Sequence, residues 1–373
     1  MHYSRGIAAI VAALPATQAL NSSIWVDQVP NYVRPYAIPH YSATGLVIGQ
    51  QIYRFPVTGP SSDNAFTLIS TNAPGSTSLG VLPHLHEVHY ENFFNFRGRF
   101  QLWTEKDGDE ETRILTQGDY GGVPHNTTHT FQILDPDTEM VGVIQPGGFE
   151  SIIFASADFE RDLFYALASA NYSSPTFSPY DPSAVADDSS PPASVIASLQ
   201  QFDVYAELDY TPRTDAVNGA APANSTWHTG ANALATNDST PYFVAKDYGP
   251  KYLSTENGYQ VIQPFVTPVQ SAGNFSLSTI TMDKLSNVTA SEQNFAGHAA
   301  FEVLEGQLMV SMEGELLSLL QGDVVFIPGN TTYTYYSLVA YTKVLHIAQG
   351  AEGLDTTLIA GATSWDSPVW PTS

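Results

Sequence analysis

Two distant stretches of this chain carry the same punctuation. Gly118-Asp119, four residues, Pro124, one residue and Asn126-Thr127-Thr128-His129 are answered by Gly322-Asp323, four residues, Pro328, one residue and Asn330-Thr331-Thr332-Tyr333. Glycine, proline and asparagine at fixed offsets specify turns, so a turn set that recurs with its spacing intact means that one folding unit has been duplicated. Phe55-Pro56-Val57-Thr58 and Ala65 to Thr71 are loosely echoed by Pro264-Phe265-Val266-Thr267 and Asn274 to Ile280. Between turns the segments are short, β-branched or aromatic, as in Tyr41 to Ile69 and Phe93 to Trp103, which makes the repeated unit β. The 373 residues suffice for two such units, each with its own core.

Arg97-Gly98 reads as a hairpin turn and Lys106-Asp107-Gly108-Asp109 as a second turn. The best helix candidate is Ala155 to Ala170. Tyr172 to Val195 is rich in Ser, Pro and Asp and has little to bury, so it reads as a linker, or as a lid folded over a site. The expected division is a signal peptide at 1–19, a first unit at 20–165, a linker at 166–200 and a second unit at 201–373.

A formal net charge of −24 repels phosphate backbones and argues against nucleic acid or anionic membranes as partners. Arg5, the apolar run Ile7 to Leu14 and small residues up to Ala19 form a secretory signal, too short to span a bilayer, which predicts a secreted, extracellular protein. Sequons at Asn21, Asn126, Asn171, Asn224, Asn237, Asn274, Asn287 and Asn330 fit that route and predict a glycoprotein. The absence of cysteine excludes disulfides and thiolate metal sites.

The chemistry concentrates in Gly80 to Glu91. His84 and His86 stand two apart, so on an extended strand both imidazoles leave one face and reach one ion. Glu91 adds a carboxylate and His129 a third imidazole, a set suited to Cu, Fe, Ni, Mn or Zn. Strand parity does not choose between Glu91 and His89, because the odd step from His86 to Glu91 requires a bend. In the second copy, setting Gly306 opposite Gly98 puts Glu292, Asn294 and Ala299 where His84, His86 and Glu91 stand, and Tyr333 where His129 stands. One metal site per chain is therefore expected, and the contrast argues against the histidines as packing residues, since the second copy keeps the turns and drops the ligands.

Gly, His-x-His-x4-Glu-x6-Gly followed by Gly-x5-Pro-x-Asn-x2-His resembles the paired motifs of the cupins, and two copies resemble a bicupin: two jelly-roll β-barrels in tandem, all-β. His84-Leu85-His86, His89-Tyr90-Glu91-Asn92-Phe93, Thr128 to Ile133 and Asp135 to Met140 are similar to the fungal quercetin 2,3-dioxygenase (flavonol 2,4-dioxygenase) family, as are Val204 to Leu208, Trp227 to Asn232 and Gly249 to Leu253. The resemblance covers nearly the whole mature chain. It implies a copper-dependent dioxygenase that opens the heterocyclic ring of flavonols with O2, releasing carbon monoxide and a depside. It implies Cu(II) on His84, His86, Glu91 and His129, with Glu91 as general base and His89 as a neighbouring structural residue. It implies a substrate cavity lined by Tyr53, Thr71, Phe93, Phe131, Met140, Gly142, Ile144 and Phe149, with Ile69 where the family has methionine. A homodimer is compatible with a bicupin. The competing readings are a manganese-dependent oxalate decarboxylase or oxidase and a non-enzymatic storage or sugar-binding bicupin. Against the first, only Arg97 and Arg99 stand near the ligands to grip a dicarboxylate. Against the second, one ligand set is intact.

Overall fold

The computed structural model describes residues 24–43, 45–48, 51–150, 168–172, 196–197, 199–255, 258–285, 289–367 and 370–371. The signal segment and most of the expected linker lie outside them. The first barrel is built on an eight-stranded sheet. Its order is Ala168–Tyr172, Gly45–Ile48, Gln51–Val57, Thr67–Ala73, Thr138–Gln145, Tyr90–Arg97, Tyr120–Val123 and Tyr242–Val244. Packed on it is a six-stranded sheet ordered Tyr205–Ala206, His84–Leu85, Thr128–Ile133, Phe100–Lys106, Asp109–Leu115 and Ala220–Ala221. The second barrel repeats the plan: Tyr36–Ile38, Val324–Ile327, Ala299–Glu305, Thr342–Gln349, Phe275–Met282, Gln260–Val266, Tyr252–Ser254 and Thr363–Ser364, against Glu315–Leu320, Gln307–Met312 and Tyr333–Ser337. The chain is thus all-β, two jelly-roll barrels in tandem.

The barrels exchange their leading strands. Tyr36–Ile38, which precedes the first copy, pairs with Val324–Ile327 of the second. Tyr242–Val244, which precedes the second copy, pairs with Tyr120–Val123 of the first. The short strands Tyr205–Ala206 and Ala220–Ala221 also join the first barrel. The expected boundaries 20–165 and 201–373 therefore need correction: 36–38 belongs to the second barrel, and the strands between 205 and 244 belong to the first. Alternation announces a strand but not the edge it will complete, because any unpaired row of N–H and C=O groups can accept it.

Two local expectations also change. Arg97-Gly98 is no hairpin, because the strands it joins lie in different sheets and the turn is a barrel corner. Of the expected helix at 155–170, residues 155–167 lie outside the described residues, and Ala168–Tyr172 is a strand paired with Gly45–Ile48, which also moves the start of the linker.

One apolar cluster crosses the junction between the barrels. Tyr36 stacks on Phe326 at 5.4 Å and Tyr120 on Phe265 at 4.7 Å between ring centroids. Beside it lie two buried carboxyl groups. Glu139 accepts hydrogen bonds from His40 Nε2 at 2.9 Å, Tyr41 Oη at 2.8 Å and Ser70 Oγ at 2.8 Å, which outweigh burial and hold it ionised. Glu302 is buried with Oε2 unpartnered, and burial first, then the Glu139 charge, push it well above the carboxylate range. An unfolded glutamate ionises from 4.5 upward, so above that pH the folded chain holds the extra proton and loses stability as pH rises. Glu302→Gln keeps the shape without the ionisation. It should flatten the stability-against-pH curve and raise the stability near neutral pH above that of the parent. Urea midpoints across the pH series check this, and an unchanged slope would clear Glu302 of the role.

Candidate metal centre

The ligand strand is set by one pairing. His84 lies directly opposite His129 in an antiparallel ladder, so their side chains leave the same face, with ring centroids 4.3 Å apart. The His86 ring lies 4.9 Å from His84 and 5.4 Å from His129. Glu91 comes from the facing sheet, and its Oε2 stands 2.9 Å from His129 Nε2 and 3.2 Å from His86 Nε2. All four residues offer ligand atoms within 4.8 Å of one another.

The second nitrogen of each ring fixes what the first can do. His84 Nδ1 donates to Leu82 O at 2.9 Å, His86 Nδ1 to Asp203 O at 2.6 Å and His129 Nδ1 to Thr127 O at 3.0 Å. A carbonyl only accepts, so each Nδ1 carries a proton and each Nε2 is left to face the centre, where it would offer its lone pair to a bound cation. Three lone pairs and a carboxylate facing each other in a buried site require a cation, so the residues fit a divalent metal. The electrostatics of His84 and Glu91 agree, whereas at His86 burial is outweighed by Glu91 and Asp203, which raise it from the usual imidazole value. Burial, then the neighbouring His129 and His86, hold His84 well below the usual imidazole range, which keeps it a neutral donor. Burial tends to raise Glu91, but the His129 and His86 imidazoles beside its Oε2 overcome it and hold the carboxylate well below its usual range.

His89 points elsewhere, with Nδ1 2.7 Å from Asp203 Oδ2, so Glu91 is the group that completes the set. His125 is partly exposed and contributes its carbonyl to Lys106 Nζ. Arg97 is paired with Asp137 and Glu139, and Arg99 with Asp135, so neither reaches the centre.

Register places Tyr53, Thr71, Phe93, Met140, Gly142 and Ile144 of the expected lining on one face of the eight-stranded sheet. Tyr53 pairs with Thr71, which pairs with Met140. One row on, Ile69 pairs with Gly142, which pairs with Phe93. In the next row Ile144 pairs with Glu91 itself. Phe131 stands two residues from His129 on the facing sheet, with its ring 6.1 Å from Phe93. Phe149 packs edge-on against His86 at 5.6 Å. A side chain at Gly142 would meet Ile69 Cγ2 at 2.3 Å, so the two residues share one space in which a larger residue 69 would crowd the wall. Gly80 is held just as closely: its N–H donates to Phe131 O at 2.7 Å, and an added Cβ would lie 2.3 Å from the Phe131 ring. Gly80→Ala is expected to cost about 1–3 kcal/mol, read as a lower urea midpoint. A midpoint equal to that of the parent would show that the ring yields freely.

Three residues near the centre escaped the sequence reading. Asp203 supplies the carbonyl behind His86. Phe202, like Tyr53 and Phe149, packs against the cluster of Leu46, Phe55 and Ile69. Gln51 accepts from Tyr53 Oη at 3.0 Å and donates to the Gly80 carbonyl. Phe202 and Asp203 follow the expected linker, and no local pattern marks them.

The second barrel shows the same framework without the chelate, with a corrected register. Gln293 pairs with Tyr333 as His84 does with His129, and Phe295 O accepts from Asn330 N as His86 O does from Asn126 N. Ala299 lies opposite Ile327 as Glu91 lies opposite Val123. The residues at the His84 and His86 positions are therefore Gln293 and Phe295, one along from Glu292 and Asn294, while Ala299 and Tyr333 stand as expected. The slip arises because the second copy is one residue shorter between Phe295 and Ala299 than the first between His86 and Glu91. His298 is bound to the Gly329 N–H at 2.8 Å.

The chain is 51% identical over 358 residues to the quercetin 2,3-dioxygenase of Aspergillus japonicus, spanning 94% of this chain and 99% of that one. It is 31% identical over 153 residues to the quercetin 2,3-dioxygenase of Bacillus subtilis (strain 168), spanning 41% and 43%. Among solved structures, an oxalate decarboxylase from Lactobacillus farciminis in complex with formate superposes with a TM-score of 0.51, covering 87% of this chain and 89% of that one. At 12% identity that likeness speaks for the fold alone. No protein-family model matches.

Proposed function

The chain belongs to the quercetin 2,3-dioxygenase family of bicupins, and from that premise we infer that it is a dioxygenase opening the heterocyclic ring of flavonols such as quercetin. The reaction adds O2, breaks two carbon–carbon bonds and leaves a depside with carbon monoxide as the second product. The observation that carries this is identity of 51% along 94% of the chain. Aerobic incubation of metal-loaded protein with quercetin should bleach the flavonol absorbance catalytically. A folded, metal-loaded protein that leaves quercetin untouched and consumes oxalate would reverse the assignment.

We further propose that His84, His86, Glu91 and His129 hold one Cu(II) per chain in the first barrel. The same donors suit other divalent ions, so metal analysis of the native protein decides the identity. A bound Cu(II) would lower the pKa of the flavonol 3-hydroxyl and withdraw electron density from the flavonolate. Glu91, kept ionised and close to His129 and His86, takes the 3-hydroxyl proton. Tyr53, Thr71, Phe93, Phe131, Met140, Gly142, Ile144 and Phe149 offer a mostly apolar surface for a flat polyphenol and exclude water from the reacting carbons.

Secretion and glycosylation belong to the same proposal. Asn126, Asn224, Asn237, Asn274 and Asn330 are exposed, as glycan acceptors must be. Protein found only inside the cells, with Met1 at its N-terminus, would contradict secretion. Assembly as a homodimer is proposed on the bicupin resemblance, and a monomeric mass in light scattering would rule it out.

A further inference from the structure

We propose that Asp203 is a positioning residue for the metal centre: from the far side of the linker it holds the 87–89 bend that turns His86 and Glu91 toward the same ion. The proposal rests on the reading of His84, His86, Glu91 and His129 as the metal set. His86 and Glu91 are an odd number of residues apart, so a straight strand would send their side chains to opposite faces. The structure reconciles them through one carboxylate. Asp203 Oδ1 accepts from Glu87 N at 2.8 Å, and Oδ2 from Val88 N and His89 N, both at 2.9 Å, and from His89 Nδ1 at 2.7 Å. Three successive backbone N–H groups thus converge on one anion, the arrangement that fixes a tight concave bend.

The same residue also orients the ligand directly, since its carbonyl accepts from His86 Nδ1 at 2.6 Å. Side chain and carbonyl can both face the loop because Asp203 sits in the left-handed region at φ 63°, which aspartate tolerates. Its neighbours are stitched to the ligand strand: Tyr205 pairs with Leu85, Ala206 with His84, and Glu207 N donates to Pro83 O at 2.8 Å. The internal repeat supplies a control. Between Phe295 and Ala299 the second copy lacks the extra residue, the step is even, and the ligands are absent too. The odd step and the chelate occur together.

His86, His89 and Asp203 could be read instead as a second ion site, since their ligand atoms cluster within 4.8 Å. The hydrogen bonds argue otherwise. The Asp203 carboxylate already accepts four of them, and the nitrogen that His86 turns toward Asp203 is the one that donates to its carbonyl.

The test compares Asp203→Asn with the parent full-length protein, titrating Cu(II) against a competing chelator and recording the Cu(II) electron paramagnetic resonance spectrum. Asn keeps the backbone carbonyl behind His86 but replaces one carboxylate oxygen with an amide nitrogen that cannot accept, so the loosened bend should weaken binding about 10–100-fold and alter the hyperfine pattern, while the far-ultraviolet circular dichroism of the barrels stays that of the parent. His89→Ala, which leaves the backbone hydrogen bonds in place, should weaken binding less. A folded Asp203→Asn variant with parental affinity and spectrum overturns the proposal. If the parent itself takes up no Cu(II), the metal reading fails, and this inference with it. Should Asp203→Asn not fold, amide exchange in the parent decides. The Glu87, Val88 and His89 amides should be protected although Glu87 and Val88 are exposed, and rapid exchange there overturns the proposal.

Discussion

Glu91→Ala is expected to fold as the parent does and to lose flavonol turnover by about 10²–10⁴-fold or more, the range attached to removal of a positioned general base. The fold should survive because the side chain is 16% exposed and its Oε2 is turned toward the Nε2 atoms of His86 and His129. Turnover should not survive, because among the described residues no other carboxylate joins the three imidazoles. Glu91→Gln separates two roles. It keeps an oxygen that can face the ion but cannot take a proton near neutral pH, so it should retain more metal than Glu91→Ala while staying equally inactive. Near-parental kcat in either variant would remove Glu91 from the proton transfer.

His129→Phe should abolish metal binding without unfolding the barrel. His129 is fully buried, so its replacement must fill the same space. The second barrel already shows that an aromatic ring is tolerated there: Tyr333 occupies the equivalent position, buried against Phe301 at 6.2 Å and opposite Gln293 in the ladder. The variant should therefore melt within a few degrees of the metal-free parent, a shift of about 1 kcal/mol at most. Its metal affinity should fall by more than the 10–100-fold that follows loss of an outer partner. Retention of a stoichiometric ion by His129→Phe would show that His129 is no ligand.

Much of this site could be read from the chain because its chemistry is local. His84-Leu85-His86 sets two imidazoles on one strand face, and the Gly118 to His129 turn leads to the third, which pairs with His84 across the ladder. What escaped the reading was non-local. The choice of Glu91 over His89, which strand parity left open and the family resemblance made, turns on the bend that Asp203 holds, and Asp203 lies beyond a Ser/Pro-rich stretch with no periodicity of its own. The equivalences in the second copy slipped by one residue for the same reason, since the bend is the place where the copies differ in length. The strand exchange was likewise invisible: Tyr36-Ala37-Ile38 reads as a strand, but its partner Val324–Ile327 is chosen by whichever barrel edge it meets in the folded chain.

Gas analysis of a sealed reaction tests the account at its centre. Copper-loaded protein, quercetin and air are sealed together, with carbon monoxide followed in the headspace and the flavonol absorbance in solution, beside a sample stripped of metal and one reloaded. The account predicts carbon monoxide released in step with flavonol consumed, silence after stripping and recovery on reloading. Flavonol consumption without carbon monoxide, or release that persists in the stripped protein, would contradict ring-opening at the His84, His86, Glu91 and His129 centre.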